Sequence, residues 1–342
     1  MSPPIVDSHI HLWAGTHLNR LSWTADLPAD HALNRQNSIE QYRAAIAAGK
    51  PLRGFVFLET DRKSGLQDNE WEDALEEVSF LVRIAEGNPI AGEGHTIADK
   101  DLVLGIVPWA PIPAGPDALA RYLGEVRKRA GDSFNKIKGF RYLLQDKAAG
   151  TMLSQNFISN LQALGAQNLS FDLGIDSRSG GLHQLEEACE LLNRVNAKDT
   201  IVRIIINHMC KPDLHVTPEE IGGGNPAFDQ WKNCIARMAS HKNTYMKLSG
   251  MFSELPPQGE HATGIAELLR LTKPWVDTIF EYFGPSRIMF GSDWPVCNVG
   301  GPGEKSWSHY VNLVTAILQA QKLNDDEQAQ VWSGTATSAY KI

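Results

Sequence analysis

Short apolar runs rich in β-branched residues recur along the whole chain, and a helical pattern follows most of them. Eight can be counted: Ile5 to Ile10, Gly54 to Leu58, Leu102 to Val107, Ile137 to Tyr142, Leu169 to Ile175, Ile201 to Ile206, Thr244 to Leu248 and Arg287 to Phe290. A run such as Ile201-Val202-Arg203-Ile204-Ile205-Ile206 suits a strand buried on both faces, as in a parallel sheet. Between the runs, apolar residues recur at three- and four-residue steps, as in Trp71, Leu75, Val78, Val82 and Ala85, or Leu182, Leu185, Cys189, Leu192 and Val195. Val276, Phe280 and Phe283 follow Pro274, a residue suited to a first helical turn. This alternation, without repeats or a linker, predicts an α/β fold of the (β/α)8 TIM-barrel type, one domain over residues 1–342. An open doubly wound sheet is the alternative. No G-x-G-x-x-G follows the first strand, so the dinucleotide-binding version of that sheet has no support.

In a barrel, the loops that follow strands build the active face. Long segments rich in Gly, Pro and polar residues stand there: Ala14 to Asn37, Lys211 to Pro226, Gly250 to Gly264 and Pro295 to Lys305. The first carries His17, Trp23 and His31 and is expected to cover the mouth. Gly87 to Lys100 precedes a strand and is expected at the opposite face.

The strand ends are unusually rich in ionisable groups. They comprise His9 and His11, Glu59 and Asp61, Arg141, Asp172 and Asp176, His208, Lys247, and Asp293, with Trp109 and Trp294 among them. Charged residues are seldom buried unless paired or ligand-bound, so a constellation of this size points to a site. His9 and His11, two apart on a strand, face the same way and supply half of a metal site, or else one packs in the core and the other meets solvent. Asp293 sits in Gly291-Ser292-Asp293-Trp294-Pro295, as a general base or as a turn-forming residue. Arg141 binds substrate or pairs with Asp172, and Lys247 binds substrate or joins a barrel ion pair. Glu59 is a metal ligand or accepts from Arg141. The faces of Trp13, Trp109 and Trp294 pack in the core or suit the C–H faces of a sugar.

A net charge of -8 without a basic block argues against a nucleic-acid partner. Cys189, Cys210, Cys234 and Cys297 are widely spaced without C-x-x-C, as reduced thiols of an intracellular protein. The first strand starts within five residues of the N-terminus, leaving no room for a signal peptide, and no run approaches a membrane span. A cytoplasmic enzyme acting on a small molecule is expected, without a membrane partner; an oligomer is compatible with this composition.

With Asp-x-His-x-His on the first strand, His208 on the sixth and Asp293 on the eighth, the chain resembles the amidohydrolase superfamily. It is most similar to the lactonase branch of amidohydrolase family 2. The motifs are Gly139-Phe140-Arg141, Lys247-Leu248-Ser249-Gly250, Gly291 to Pro295, and His208-Met209-Cys210-Lys211-Pro212 as a His-x-x-Lys-Pro. Asn207 stands where aspartate is common. The resemblance runs from residue 5 to about 340.

Binuclear members carry a lysine or glutamate on the fourth strand and a histidine on the fifth, where this chain has Arg141 and Asp172. The resemblance therefore implies at most one divalent ion, zinc or manganese, drawn from His9, His11, His208, Asp293 and Glu59. It implies opening of a sugar lactone, with Asp293 and His208 catalytic and Arg141, Lys247, Trp109, Trp294 and Trp23 against the substrate. An aldonolactone of the L-rhamnono-1,4-lactone type, in L-rhamnose catabolism, is favoured over a dicarboxylate or muconolactone-like ring, which calls for several arginines. The rival readings are a metal-dependent decarboxylase of the same superfamily and a barrel that binds sugar acids without chemistry.

Overall fold

The computed structural model describes residues 4–47, 50–196, 201–259 and 261–342; residue 260, within the loop expected to follow the seventh strand, lies outside them. Parallel strands β1 (Ile5–Ile10), β2 (Leu52–Leu58) and β3 (Val103–Val107) pair in that order. A second run pairs β4 (Gly139–Arg141), β5 (Ser170–Leu173), β6 (Arg203–Ile206), β7 (Thr244–Leu248) and β8 (Ile288–Phe290). Isolated parallel bridges Ile106–Ile137 and Trp109–Arg141 join β3 to β4, and Ile10–Trp294 joins the end of β8 back to β1. These contacts close the (β/α)8 barrel. Most observed strands are shorter than their apolar runs, because ladder pairing stops where the chain splays toward a loop; Ile201, read as part of the buried sixth run, precedes its strand and is exposed.

Helices Glu72–Glu86 and His183–Val195 bury most of the stripes read from the sequence, and Pro116–Ala130 and Pro226–Ala239 bury similar ones through Leu119, Leu123 and Val126 and through Phe228, Trp231, Ile235 and Met238. The helix after β7 corrects one expectation. It spans Ile265–Phe283 with Pro274 inside it, not at its start. Leu268, buried a turn and a half before the proline, extends the apolar face across it, so packing offsets the backbone bond that proline cannot donate.

The core has two compartments. Phe55, Phe57, Phe171, Ile204 and Ile206 face the helices. Val6, Val56, Leu58, Val107, Ile205 and Met289 fill the barrel, where they meet Ala336, Ala339 and Tyr340 of the C-terminal helix Thr335–Tyr340. That helix plugs the end of the barrel, and the Tyr340 hydroxyl reaches in to donate to Asp172 Oδ1 at 2.7 Å.

The segment 88–96, expected at the face away from the mouth, climbs instead between helices Ile39–Ile46 and Glu72–Glu86. Gly94 O accepts from Glu40 N at 2.9 Å, and Glu93 Oε1 lies 3.7 Å from His17 Nε2 of the first loop. Two arginines bind this junction. Arg83 Nε donates to Glu93 Oε2 at 3.0 Å, and Arg62 Nε lies 3.3 Å from Glu77 Oε1. Among the described residues no helix is long and apolar enough to cross a membrane.

Candidate active site

The motif at the end of β1 and the turn after β8 are built as one unit. Asp7 is buried and accepts from Ser292 N at 2.8 Å, Trp307 Nε1 at 3.0 Å and Tyr42 Oη at 3.0 Å. Burial pushes its pKa up, and these three donors offset part of that cost. Backbone bonds Asp293 N to His9 O and His11 N to Trp294 O, both 2.8 Å, lock the turn against β1. Asp293 itself takes a φ of 61°, which aims its carboxylate back over the barrel axis.

His208 is aimed by a less expected device. Residues His208, Met209, Cys210 and Lys211 all have φ between 48° and 65°, a left-handed turn that costs L-residues about 1–2 kcal/mol each. Its carbonyls are held from outside: Trp231 Nε1 donates to Met209 O at 2.9 Å and Ser177 N to Cys210 O at 3.0 Å. Gly250 gives the imidazole its room, since a Cβ there would stand 2.5 Å from His208 Nδ1.

The result is one carboxylate oxygen facing three imidazoles. Asp293 Oδ1 lies 3.6, 3.5 and 3.7 Å from Nε2 of His9, His11 and His208. His9 and His11 Nε2 are 3.2 Å apart. Burial drives the His9 and His208 pKa values down, His208 to about 3, so both rings are neutral at neutral pH. Burial also works against the Asp293 carboxylate, but His208, His11 and Lys211 outweigh it and hold its pKa below the ordinary value.

These distances suit a cation. Bonds of about 2.1 Å to a tetrahedral metal separate its ligand atoms by about 3.4 Å, and the three nitrogens surround Asp293 Oδ1 near that spacing. His9, His208 and Asp293 offer ligand atoms within 4.8 Å of one another. His11 Nδ1 faces Leu58 O at 3.0 Å, which places the proton on Nδ1 and frees Nε2. The Ser249 hydroxyl, 2.8 Å from His208 Nδ1, serves either tautomer. His9 differs, because its Nδ1 faces the Lys247 ammonium at 3.2 Å. An ammonium only donates, so His9 carries its proton on Nε2 and joins a metal shell only by releasing it.

Around this centre lies a cavity of about 300 Å³, lined by His11, Trp13, Trp23, Leu33, Arg141 and Asp293 among others. The first loop thus supplies a wall through Trp23, whose Nε1 donates to Thr60 O at 2.9 Å. His31 of the same loop accepts from Leu33 N, and His17 is buried against Glu93.

Four residues depart from the expected placement. Glu59 is outside the ligand cluster, since its Oε1 accepts from Arg141 Nε at 2.6 Å and its Oε2 from Asp61 N at 2.5 Å. Lys247 is fully buried beneath the cavity and pairs with Asp172 at 2.6 Å, which also removes Asp172 from Arg141. Burial lowers the Lys247 pKa to about 8 against the pull of Asp172. Trp294 packs on Tyr42, ring centroids 5.3 Å apart, and lines a separate groove with Gln41 and Asn298. Trp109 lines the neighbouring cavity with Tyr142. Lys211, a wall of the mouth cavity, was visible in the sequence only as part of His-x-x-Lys-Pro.

A family model described as amidohydrolase matches residues 6–342. The chain is 32% identical over 343 residues to L-rhamnono-gamma-lactonase of Scheffersomyces stipitis, covering 99% of this chain and 98% of that protein. It is 26% identical to L-fucono-1,5-lactonase of Burkholderia multivorans over 78% of this chain and 77% of that one. A zinc-bound amidohydrolase structure from Burkholderia multivorans superposes with a TM-score of 0.72 at 23% identity, covering 99% of both chains.

Proposed function

This chain belongs to the amidohydrolase family, and from that premise we propose that it opens sugar lactones, aldonolactones of the L-rhamnono-1,4-lactone type, to the aldonic acids. The observation that carries the reading is the Asp293 carboxylate held in a ring of imidazoles beneath a mouth walled by Trp13 and Trp23. Aromatic walls and a single arginine suit a neutral polyhydroxylated ring better than a dicarboxylate.

Asp293 takes a proton from the attacking water as oxygen adds to the lactone carbonyl. When the ring C–O bond breaks, the same carboxyl returns the proton to the departing ring oxygen. His208, which lines the cavity and carries its proton on Nε2 when Ser249 donates to Nδ1, donates to the oxygen on which charge develops, and the buried Nε2–H of His9 orders His11 and the Asp293 carboxylate from below. Arg141 is fixed by two bonds to Glu59, to Oε1 at 2.6 Å and to the main-chain oxygen at 2.7 Å, and directs its free edge at the substrate. Trp13 and Trp23 cover the C–H faces of the ring.

One divalent ion, zinc or manganese, would be held by His208, Asp293 and, once its Nε2 proton is released, His9, with His11 Nε2 beside them. When bound, such an ion polarises a carbonyl and acidifies water. Four free cysteines fit a reducing, cytoplasmic setting.

The test is turnover of an aldonolactone panel beside aromatic acids, following acid release and carbon dioxide separately. Acid release from L-rhamnono-1,4-lactone is the expected result. Carbon dioxide without lactone opening would replace the reading with a decarboxylase.

A further inference from the structure

Beside the mouth cavity lies a larger one of about 430 Å³, open on the same face of the barrel. The two meet along Asp61 and Leu143, which line both. The floor of the outer cavity is aromatic: Trp109, just beyond β3, stands 6.3 Å from the ring centroid of Tyr142, just beyond β4. Trp109 is braced from behind by Tyr122 at 5.4 Å, an edge-on contact that fixes its plane.

The rim balances its charges. Asp61 and Asp146 face Lys63 and Lys147, and Lys147 Nζ is 2.8 Å from Asp146 Oδ1 and 5.9 Å above the Tyr142 ring. Arg62, also on the wall, is neutralised by Glu77. A carboxylate or phosphate would meet no surplus of positive charge here. A neutral polyol fits, since its C–H face can lie on the indole while its hydroxyls exchange hydrogen bonds with carboxylate and ammonium groups. Neither Trp109 nor Tyr142 lines the mouth cavity, so a lone lactone ring there leaves the aromatic floor uncovered.

We propose that the outer cavity is a glycosyl subsite, binding a second sugar ring carried by the lactone, so that lactones of disaccharide acids are substrates. The proposal rests on the lactonase reading above. It places the bond between the two rings over the Asp61–Leu143 ridge, with the lactone carbonyl at Asp293 and the second ring on Trp109.

The experiment compares L-rhamnono-1,4-lactone with the same lactone glycosylated at its exocyclic hydroxyl. Wild-type protein is expected to show a kcat/KM about 10-fold higher for the glycosylated lactone, arising mainly in KM. Tyr142→Ala and, independently, the rim variant Lys147→Ala are expected to erase that advantage and leave turnover of the parent lactone unchanged. A glycosylated lactone that is a poorer substrate than its parent overturns the subsite. So does an equal loss on both substrates in folded variants. Turnover of neither lactone overturns the lactonase reading, and the subsite with it.

Discussion

At the mouth, Asp293 is surrounded by His9, His11 and His208. Between the helices, Glu76, Glu77 and Glu93 are surrounded by His17, His95, Arg62 and Arg83. Both clusters are largely buried and both gather histidine with carboxylate closely enough to hold an ion. They differ in who supplies the positive charge. In the second cluster guanidinium groups sit directly on the carboxylates, as Arg83 does on Glu76 at 2.9 Å. In the first, the nearest fixed cation under the ring, Lys247, is spent on Asp172 and His9. A buried carboxylate satisfied by arginine is part of the framework, whereas one left facing neutral imidazoles can still take a proton or a cation.

The sharpest way to break this comparison is to remove each cluster's key group. Asp293→Asn keeps the shape of the side chain but loses the proton acceptor. Turnover is expected to fall about 10²–10⁴-fold with the melting temperature nearly unchanged, checked by kcat at measured metal occupancy. Arg62→Met should do the reverse. Stripping a buried partner from Glu77 is expected to cost about 3 kcal/mol in denaturant unfolding, with kcat of the folded enzyme preserved.

Metal content separates the clusters next. One divalent ion per chain is expected by elemental analysis, removed by chelation together with activity, and lost in His208→Asn but retained in Glu76→Gln. Two ions per chain would mean that the arginines do not keep the second cluster closed to metal.

Acid should also tell them apart. The His208 pKa falls from 6.5 to about 3 on folding, so its unfolded form binds the extra proton. Its contribution is complete above pH 6.5 and is lost as pH falls toward 3. Glu77 runs the other way. Burial raises it from 4.5 to about 7, so its contribution is present below 4.5 and lost as pH rises through 7. His17, lowered to about 4 by burial and Arg62, opposes Glu77 within the same cluster. Unfolding midpoints measured across pH 3 to 8 should therefore lose much of their acid slope in His208→Asn, and should flatten between 4.5 and 7 in Glu77→Gln.

The smallest expected effect is at the wall that the first loop lends to the mouth. Trp23→Ala should raise KM up to about 10-fold with kcat little changed, because Trp23 covers the ring without touching the reacting atoms. An unchanged KM would leave that loop a cover for the Glu93 junction alone.

The sequence by itself determined what depends on local pattern. Buried strands such as Ile204-Ile205-Ile206 and the stripe from Trp71 to Ala85 carry the periodicity of their own packing, so the barrel was legible without coordinates. So were His9, His11, His208 and Asp293, because strand order in a barrel fixes which ends converge. Tertiary structure alone decided which buried charges pair. Arg141 takes Glu59 across the one strand between them, and Lys247 takes Asp172, since the barrel interior brings these atoms to 2.6 Å while sequence spacing carries no such distance. It also decided that Trp294 turns onto Tyr42, that the segment 88–96 rises toward the mouth, and that Tyr340 plugs the barrel beneath Asp172. The left-handed turn at His208 belongs with these, because its bracing bonds come from Trp231 and Ser177, on other elements. Periodicity records which face of an element is buried; it holds no record of what that face will meet.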